Sequence, residues 1–154
     1  MLKFLILAAI PLMFSRSDCS QFDRIVSPAS AVDVVITASG FKASQSKPVI
    51  LTVTVTNPGR SPVMLGVGSS SCQLGSIVRV KSRWEYVLDI RACTADYVEH
   101  WLGAGESRSE SWGWNGEIVV RGFRESLQPG KYLVKGKVGK WTSRHSIEIE
   151  VVDE

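Results

Sequence analysis

The chain has 154 residues, a length that suits a single domain. Its 18 lysine and arginine residues stand against 15 aspartate and glutamate residues, which gives a formal net charge of +3. No stretch of the sequence interleaves a basic patch with aromatic residues, so we expect no nucleic-acid partner.

Residues 1–17 have the layout of a secretory signal peptide. Lys3 lies in a short charged end, the apolar run FLILAAIPLMF follows, and Ser15 and Ser17 supply small residues for cleavage. The run is shorter than the roughly 20 apolar residues that span a membrane. Cleavage would also remove Arg16, so that 16 basic residues would face 15 acidic ones. We predict a cleaved, exported chain, with a buried N-terminal helix as the alternative.

The three cysteines allow predictions about the cellular compartment of the protein and about metal binding. Export places a protein in an oxidising compartment, where disulfides persist. We therefore predict a disulfide between Cys72 and Cys93, with two free buried thiols as the alternative. Cys19 has no predicted disulfide partner and lies near the N-terminus that cleavage creates. A lipid attached to Cys19 would be the only predicted membrane attachment. Because there is no CxxC and no Cys/His cluster, we predict no metal site.

After an irregular lead-in over residues 18–30, period-two alternation predicts strands. In LTVTVT, residues 51–56, three apolar residues alternate with three threonines. Threonine suits the solvent face of a strand, because its branched Cβ fits the pleat and its hydroxyl meets water. The stretch NPGRSP at 57–62 has the composition of a turn. Alternation resumes at Val63, so this region is predicted to be a β-hairpin.

The same pattern runs on to the C-terminus. Glycines separate strands predicted at 97–102 and 106–114, Pro129-Gly130 marks a turn, and a last strand is predicted at 147–151. No segment has the sustained 3.6-residue period of a helix. About seven to nine short strands predict an all-β domain over residues 31–154, of the Ig-like antiparallel β-sandwich class.

The motifs in the sequence that resemble catalytic ones are incomplete. Gly66-Val67-Gly68 begins like a dinucleotide-binding loop, but the third glycine and the following helix are missing. There is no GxSxG nucleophile motif. His100 and His145 lie in a predicted strand and near a predicted turn, where rim or surface positions explain both. We predict a non-catalytic domain without a cofactor.

Trp112 and Trp114 lie two residues apart on one predicted strand, so they share a face. If that face is outward, the two indoles form a platform for sugar rings. If it is inward, they are core, and large aromatic side chains bury about 150–250 Å² each. We favour the core, because a small sandwich needs this volume. A carbohydrate-binding module that uses these residues or Trp101 is the alternative function, and a structural module of the cell envelope is a third.

Several short motifs follow one another across residues 50–138. They are Asn57 followed by Pro62-Val63, a serine-rich stretch ending at Gln73, Gly105-Glu106, the strand of Trp112 and Trp114, and Leu127-x-Pro129-Gly130-x-Tyr132-x-Val134. This order resembles the BsuPI-type domain, the intracellular proteinase inhibitor-like family. The resemblance implies an Ig-like β-sandwich with a proteinase-inhibitor or protein-interaction role.

An inhibitor needs an extended loop that is held in its bound shape, because preorganisation lowers the ordering cost of binding. The loop at 66–75 is the first candidate, since Cys72 can tether it to Cys93. Its candidate partner-binding residues are Ser69, Ser70, Ser71 and Gln73. The turn at 57–62 is the second candidate, with Arg60 at its tip, and a plain connecting loop is the alternative for both. The predicted partner is a protein, and a serine proteinase is one candidate.

Overall fold

The computed structural model describes residues 32–88, 91 and 93–153. The predicted signal peptide, the lead-in at 18–30 and Cys19 lie outside these residues. Across the described part of the chain, no helix is long and apolar enough to cross a membrane.

The regular secondary structure of the described residues consists of strands, which confirms the predicted all-β class. In chain order they are β1 (Asp33–Ala38), β2 (Lys42–Ala43), β3 (Val49–Thr56), β4 (Val63–Gly68), β5 (Gly75–Val80), β6 (Arg83–Val87), β7 (Val98–Leu102), β8 (Ser107–Trp114), β9 (Glu117–Val120), β10 (Phe123–Ser126), β11 (Gly130–Val138), β12 (Trp141–Thr142) and β13 (Ile147–Val151). These thirteen strands exceed the predicted number. The prediction omitted the two-residue strands β2 and β12 and the hairpin of β9 and β10.

The described strands form three sheets. The first has the order β1-β3-β8, the second the order β10-β9-β6-β5-β11-β13-β2 with β12 on β11, and the third pairs β4 with β7. Every described pairing is antiparallel except that of β13 with β2. The antiparallel prediction therefore holds for all but one short pair. The predicted β-hairpin across the 57–62 turn is wrong, because β3 pairs with β1 and β8 whereas β4 leaves that sheet and pairs with β7.

Strand β3 shows how alternation divides the first sheet into two faces. Its leucine and valines, Leu51, Val53 and Val55, are buried. Its threonines point outward as predicted, and each forms a hydroxyl hydrogen bond with a serine of β8. The pairs are Thr52 with Ser111, Thr54 with Ser109 and Thr56 with Ser107, at 2.8, 2.7 and 2.8 Å.

The first and second sheets pack against each other around one core. Gly136 of β11 lies where they come closest: a Cβ there would lie 3.1 Å from Val53 Cγ1 and 3.3 Å from Val34 Cγ1. A side chain at this position would push the layers apart, so the sequence needs glycine here. This two-layer packing fits a β-sandwich, while the finer Ig-like topology stays a prediction.

The tryptophan pair belongs to this core. Trp112 and Trp114 are 3% and 0% exposed. The indole N–H of Trp114 donates to the carbonyl oxygen of Glu117 at 2.8 Å. The prediction that these residues are core is confirmed, and neither offers a surface to a sugar ring.

Candidate functional site

The predicted disulfide between Cys72 and Cys93 is present. It joins the loop that follows β4 to the segment that precedes β7, so two stretches far apart in sequence become one surface element. We call residues 69–74 and 93–97 the clamped double loop. A disulfide fits an oxidising compartment, in agreement with predicted export.

Hydroxyl groups hold the two halves of the clamped double loop together. Thr94 Oγ1 lies 2.9 Å from Ser69 Oγ and 3.1 Å from Ser70 Oγ, and the Thr94 N–H donates to Ser71 Oγ at 2.9 Å. Asp96 accepts from the Ser70 N–H at 3.0 Å and from the Thr94 hydroxyl. The three predicted partner-binding serines therefore use hydroxyl groups to fix the shape of the loop.

The pKa of the Asp96 carboxyl group depends on this hydrogen-bond network. Hydrogen bonds from Ser70 and Thr94 lower its pKa from 3.8 to about 2. Because the folded pKa lies below the unfolded one, the stabilisation is fully present above about pH 4 and is lost as the pH falls toward 2. An NMR titration of the Asp96 carboxyl carbon should therefore show a midpoint near 2, and Thr94→Ala should raise it. A midpoint near 3.8 in the unchanged protein would mean that water breaks the network.

The base of the double loop is attached to β8 by a charged group. Glu110 accepts from the backbone N–H groups of Gln73 and Leu74 at 3.1–3.3 Å. The guanidinium of Arg91 pairs with Glu110 at 2.5 Å, donates to the Leu74 carbonyl at 2.8 Å and lies 4.4 Å from the Trp112 ring centroid. Both charged side chains are largely buried. The loop is thus held by the core as well as by the disulfide.

Gln73, the fourth predicted partner-binding residue of this loop, is also engaged. Its side-chain amide donates to the carbonyl oxygen of Ser70 at 3.0 Å, and its Oε1 accepts from Arg108. The predicted residues of the loop are therefore brought together, and they form its frame.

Removal of the disulfide should measure how much the covalent link contributes. In the chain-entropy model, a link across 21 residues contributes about 3 kcal/mol. We expect the double variant Cys72→Ser/Cys93→Ser to lose about that much unfolding free energy in urea denaturation. A loss below about 1 kcal/mol would show that the hydrogen bonds alone close the loops.

An exposed apolar strip lies beside the double loop, on the ribbon of β4 and β7. The register pairs Met64 with Trp101 and Val67 with Glu99. These four residues, which we call the ribbon face, are all exposed, and Trp101 is 50% exposed. The Trp101 indole N–H donates to Glu99 at 3.0 Å, so its ring has a fixed orientation. Contiguous exposed apolar side chains with a polar rim mark interaction sites.

Arg60 is exposed at the tip of the 57–62 turn, as predicted. This turn precedes β4, whereas the clamped double loop follows it. A six-residue strand spans about 20 Å, so the structure does not bring the two predicted loops together. The ribbon face lies between them.

The two histidines do not form a hydrolytic site with a neighbouring serine in the described part of the chain. The Ser143 hydroxyl donates to the carbonyl oxygen of His145 at 2.7 Å and accepts from the Gly136 N–H at 3.1 Å. Its proton is therefore not offered to an imidazole, as a nucleophilic serine requires. His145 is exposed as expected, but the expected rim or surface position of His100 is wrong: His100 is buried, and its Nε2 has no hydrogen-bond partner among the described residues. Those residues also contain no group of three or more His, Cys, Asp or Glu side chains that could hold a metal ion.

No protein-family model matches this sequence, and no curated protein matches it. The resemblance to BsuPI-type domains therefore stays a prediction.

Among solved structures, the chain is similar to parts of larger proteins. A β-glucosidase from Erythrobacter marinus matches at 14% identity and a TM-score of 0.47, over 79% of this chain and 15% of that one. A β-glucosidase from Listeria innocua in complex with glucose matches at 12% and 0.45, over 78% and 16%. The alkylpurine DNA glycosylase AlkC of Pseudomonas fluorescens, bound to DNA, matches at 16% and 0.48, over 80% and 31%. The chain spans less than a third of each, and at this level the similarity carries over no activity.

Proposed function

We propose that this protein is an exported, non-catalytic domain of the Ig-like, BsuPI-type class that binds another protein. The contact surface would consist of the clamped double loop and the adjoining ribbon face. The observation that carries the proposal is the double attachment of the loop, by Cys72–Cys93 and by the Arg91–Glu110 pair. A loop that is ordered before binding does not lose its conformational entropy on binding.

The side chains beside the loop support a protein partner. Tyr97 is highly exposed within the double loop, and Trp101 and Met64 are exposed on the ribbon. Tyrosine, tryptophan and methionine are enriched in protein interfaces, and the first two dominate binding hot spots. A serine proteinase is the partner class that the resemblance favours.

The experiment is a titration of a panel of serine proteinases with the purified protein, following residual proteinase activity and the integrity of the domain together. We expect stoichiometric inhibition with the domain intact. Trp101→Ala should weaken inhibition at least tenfold, because it removes the largest exposed side chain beside the loop. Phe123→Ala is the control, since Phe123 is an aromatic residue that is even more exposed, 74% against 50% for Trp101, but lies on β10 of another sheet.

Two results would contradict the inhibitor role. One is the absence of inhibition across the panel, and the other is digestion of the domain at the rate of an ordinary substrate. Equal effects of Trp101→Ala and Phe123→Ala would contradict the assignment of the ribbon face as the contact surface.

A carbohydrate-binding role through the sequence-predicted tryptophans now depends on Trp101, since Trp112 and Trp114 are buried. Trp101 presents a single exposed ring, paired with Met64 and hydrogen-bonded to Glu99, and one ring suits a protein contact better than a run of sugars. A structural envelope module remains the third proposal.

A further inference from the structure

The outer face of the eight-stranded sheet carries a second group of exposed side chains. Trp84 and Tyr86 of β6 are 40% and 58% exposed. The register places Arg79 of β5 beside Trp84, and Ile77 between Tyr86 and Lys135 of β11. Lys137 follows Lys135 on the same face of β11. We call Arg79, Trp84, Tyr86, Lys135 and Lys137 the basic–aromatic face.

This face contains the same arrangement twice. The ammonium nitrogen of Lys135 lies 5.6 Å from the Trp84 ring centroid, and that of Lys137 lies 6.0 Å from the Tyr86 ring centroid. Both pairs reach across β5 from β11 to β6. Residues two apart on a strand are separated by about 7 Å. Two cation–aromatic pairs at a fixed spacing suit a ligand that is itself a repeating polymer.

Among the described residues, no carboxylate is paired with the positive charges of this face. Elsewhere on the same sheet, Lys131 pairs with Glu148 at 2.9 Å and Lys42 pairs with Glu150 at 3.3 Å. Within the described residues, by contrast, no carboxylate forms an ion pair with the three basic residues of the face, Arg79, Lys135 and Lys137. A polyanion is therefore the kind of ligand whose charge matches this positive surface.

We propose that the basic–aromatic face binds an acidic polysaccharide. The exposed rings of Trp84 and Tyr86 would stack against sugar rings, and the lysines and Arg79 would pair with carboxylate or sulfate groups along the polymer. A clustered basic surface of this kind also attracts nucleic acid. The disulfide favours the polysaccharide, because disulfide-bonded proteins reside in oxidising compartments outside the cytoplasm. The proposal is independent of the protein-binding function, since the two surfaces share no residue.

The test uses polygalacturonate as the acidic probe, dextran as the neutral probe and a single-stranded thymidine oligonucleotide as the competing polyanion, all measured by calorimetry. We expect binding to polygalacturonate that weakens as the salt concentration rises, since salt screens exposed charges. Dextran should bind at least tenfold more weakly.

Lys135→Gln/Lys137→Gln should weaken polygalacturonate binding at least tenfold. Lys42→Gln/Lys131→Gln is the matched control: it removes the same charge from the same sheet, but from lysines that are already ion-paired. We expect the control to change affinity less than twofold. Trp84→Ala should weaken binding severalfold and Trp84→Phe less, because phenylalanine keeps a ring; far-UV circular dichroism checks that each variant folds.

Three results would overturn the proposal. They are no binding of polygalacturonate at millimolar concentrations, equal losses in the two double-lysine variants, and tighter binding of the oligonucleotide than of polygalacturonate at equal charge concentration. The last result would assign the face to nucleic acid. None of them bears on proteinase inhibition, so the two proposals fail separately.

Discussion

Replacement of Trp114 by alanine should lower the free energy of unfolding by about 4 kcal/mol. Trp114 is the largest fully buried side chain of the described residues. Its removal deletes apolar contacts within the shared core and leaves a cavity that β-strands, fixed by their ladders, cannot close. It also leaves the carbonyl oxygen of Glu117 without the indole donor. Urea denaturation followed by circular dichroism would measure the loss.

Trp101→Ala is the matched control for this experiment. It removes the same side chain from a site that is 50% exposed. We expect a loss of about 1 kcal/mol, because half of this side chain already faces water and full burial of a large apolar side chain contributes about 1.5–3 kcal/mol. Similar losses at the two positions would contradict the division between a core tryptophan and a ribbon-face tryptophan.

Period-two alternation was sufficient to predict most of the strands that form the core, though not β2 and β9, which supply Ala43 and Ile118. Threonines alternate with leucine and valines on β3, and the structure places the threonines outward and the apolar residues inward. The same reasoning placed Trp112 and Trp114 in the core. Alternation works here because each of these strands has one buried face, which fixes the direction of every second side chain.

The hairpin of β9 and β10 was missed because its turn has an unusual sequence. Arg121 and Gly122 both have positive φ, 52° and 86°. This is the geometry of a two-residue hairpin turn, for which Asn-Gly and Asp-Gly are the strong sequence signals. An arginine at the first position hides the turn, so the strand count was too low.

The base of the clamped double loop carried a signal that sequence analysis did not use. Side chains on β8 alternate between its two faces, and Arg108 and Glu110 lie on the same face as Trp112 and Trp114. The arginine and the glutamate therefore point to the buried side of the strand. A carboxylate at an inward position requires a partner, because an isolated buried charge is costly. The identity of the partner, Arg91, could not be predicted, since it depends on how the loop folds over the strand.

The basic–aromatic face could not be found by inspecting the sequence for a basic patch. Its tryptophan and tyrosine lie near residue 85, whereas its lysines lie near residue 136. They become neighbours because β11 and β6 both pair with β5. Strand pairing between distant segments leaves no trace in the local composition of the sequence. A basic patch can therefore form on the surface even though no single stretch of the sequence is basic.

Asn57→Ala should lower the free energy of unfolding by about 4 kcal/mol, a large effect for a polar side chain. Asn57 is fully buried where β3 ends. Its side-chain amide donates to the carbonyl oxygens of Ser61, Leu102 and Gly103 at 2.8, 3.1 and 3.0 Å, and its Oδ1 accepts from the Gly59 N–H at 2.9 Å. Alanine leaves all four backbone groups without this partner. The Leu102 carbonyl is buried and the other three groups are partly buried, so the total stays near the lower end of the about 1–3 kcal/mol that each buried unsatisfied group costs.

The same residue joins two motifs that are far apart in sequence. The backbone N–H of Asn57 donates to the Glu106 carbonyl oxygen, and the Gly105 N–H donates to the Asn57 carbonyl oxygen, both at 2.9 Å. The 57–62 turn and the start of β8 are therefore held by one side chain and its own backbone. This explains in physical terms why asparagine, with a donor and an acceptor on a short stem, fits the position.

Two further variants make the Asn57 prediction specific. Asn57→Asp keeps the shape and the acceptor for Gly59 but turns the donor that faces three carbonyl oxygens into a second acceptor. We expect it to be at least as destabilising as alanine at pH 7 and less so near pH 4, where protonation of the introduced carboxyl group restores a donor. Arg60→Ala, in the same turn but exposed, should change stability by less than about 0.5 kcal/mol. A loss below about 1 kcal/mol for Asn57→Ala would mean that water replaces the amide, and the turn would then owe its shape to Pro58 and Gly59 instead.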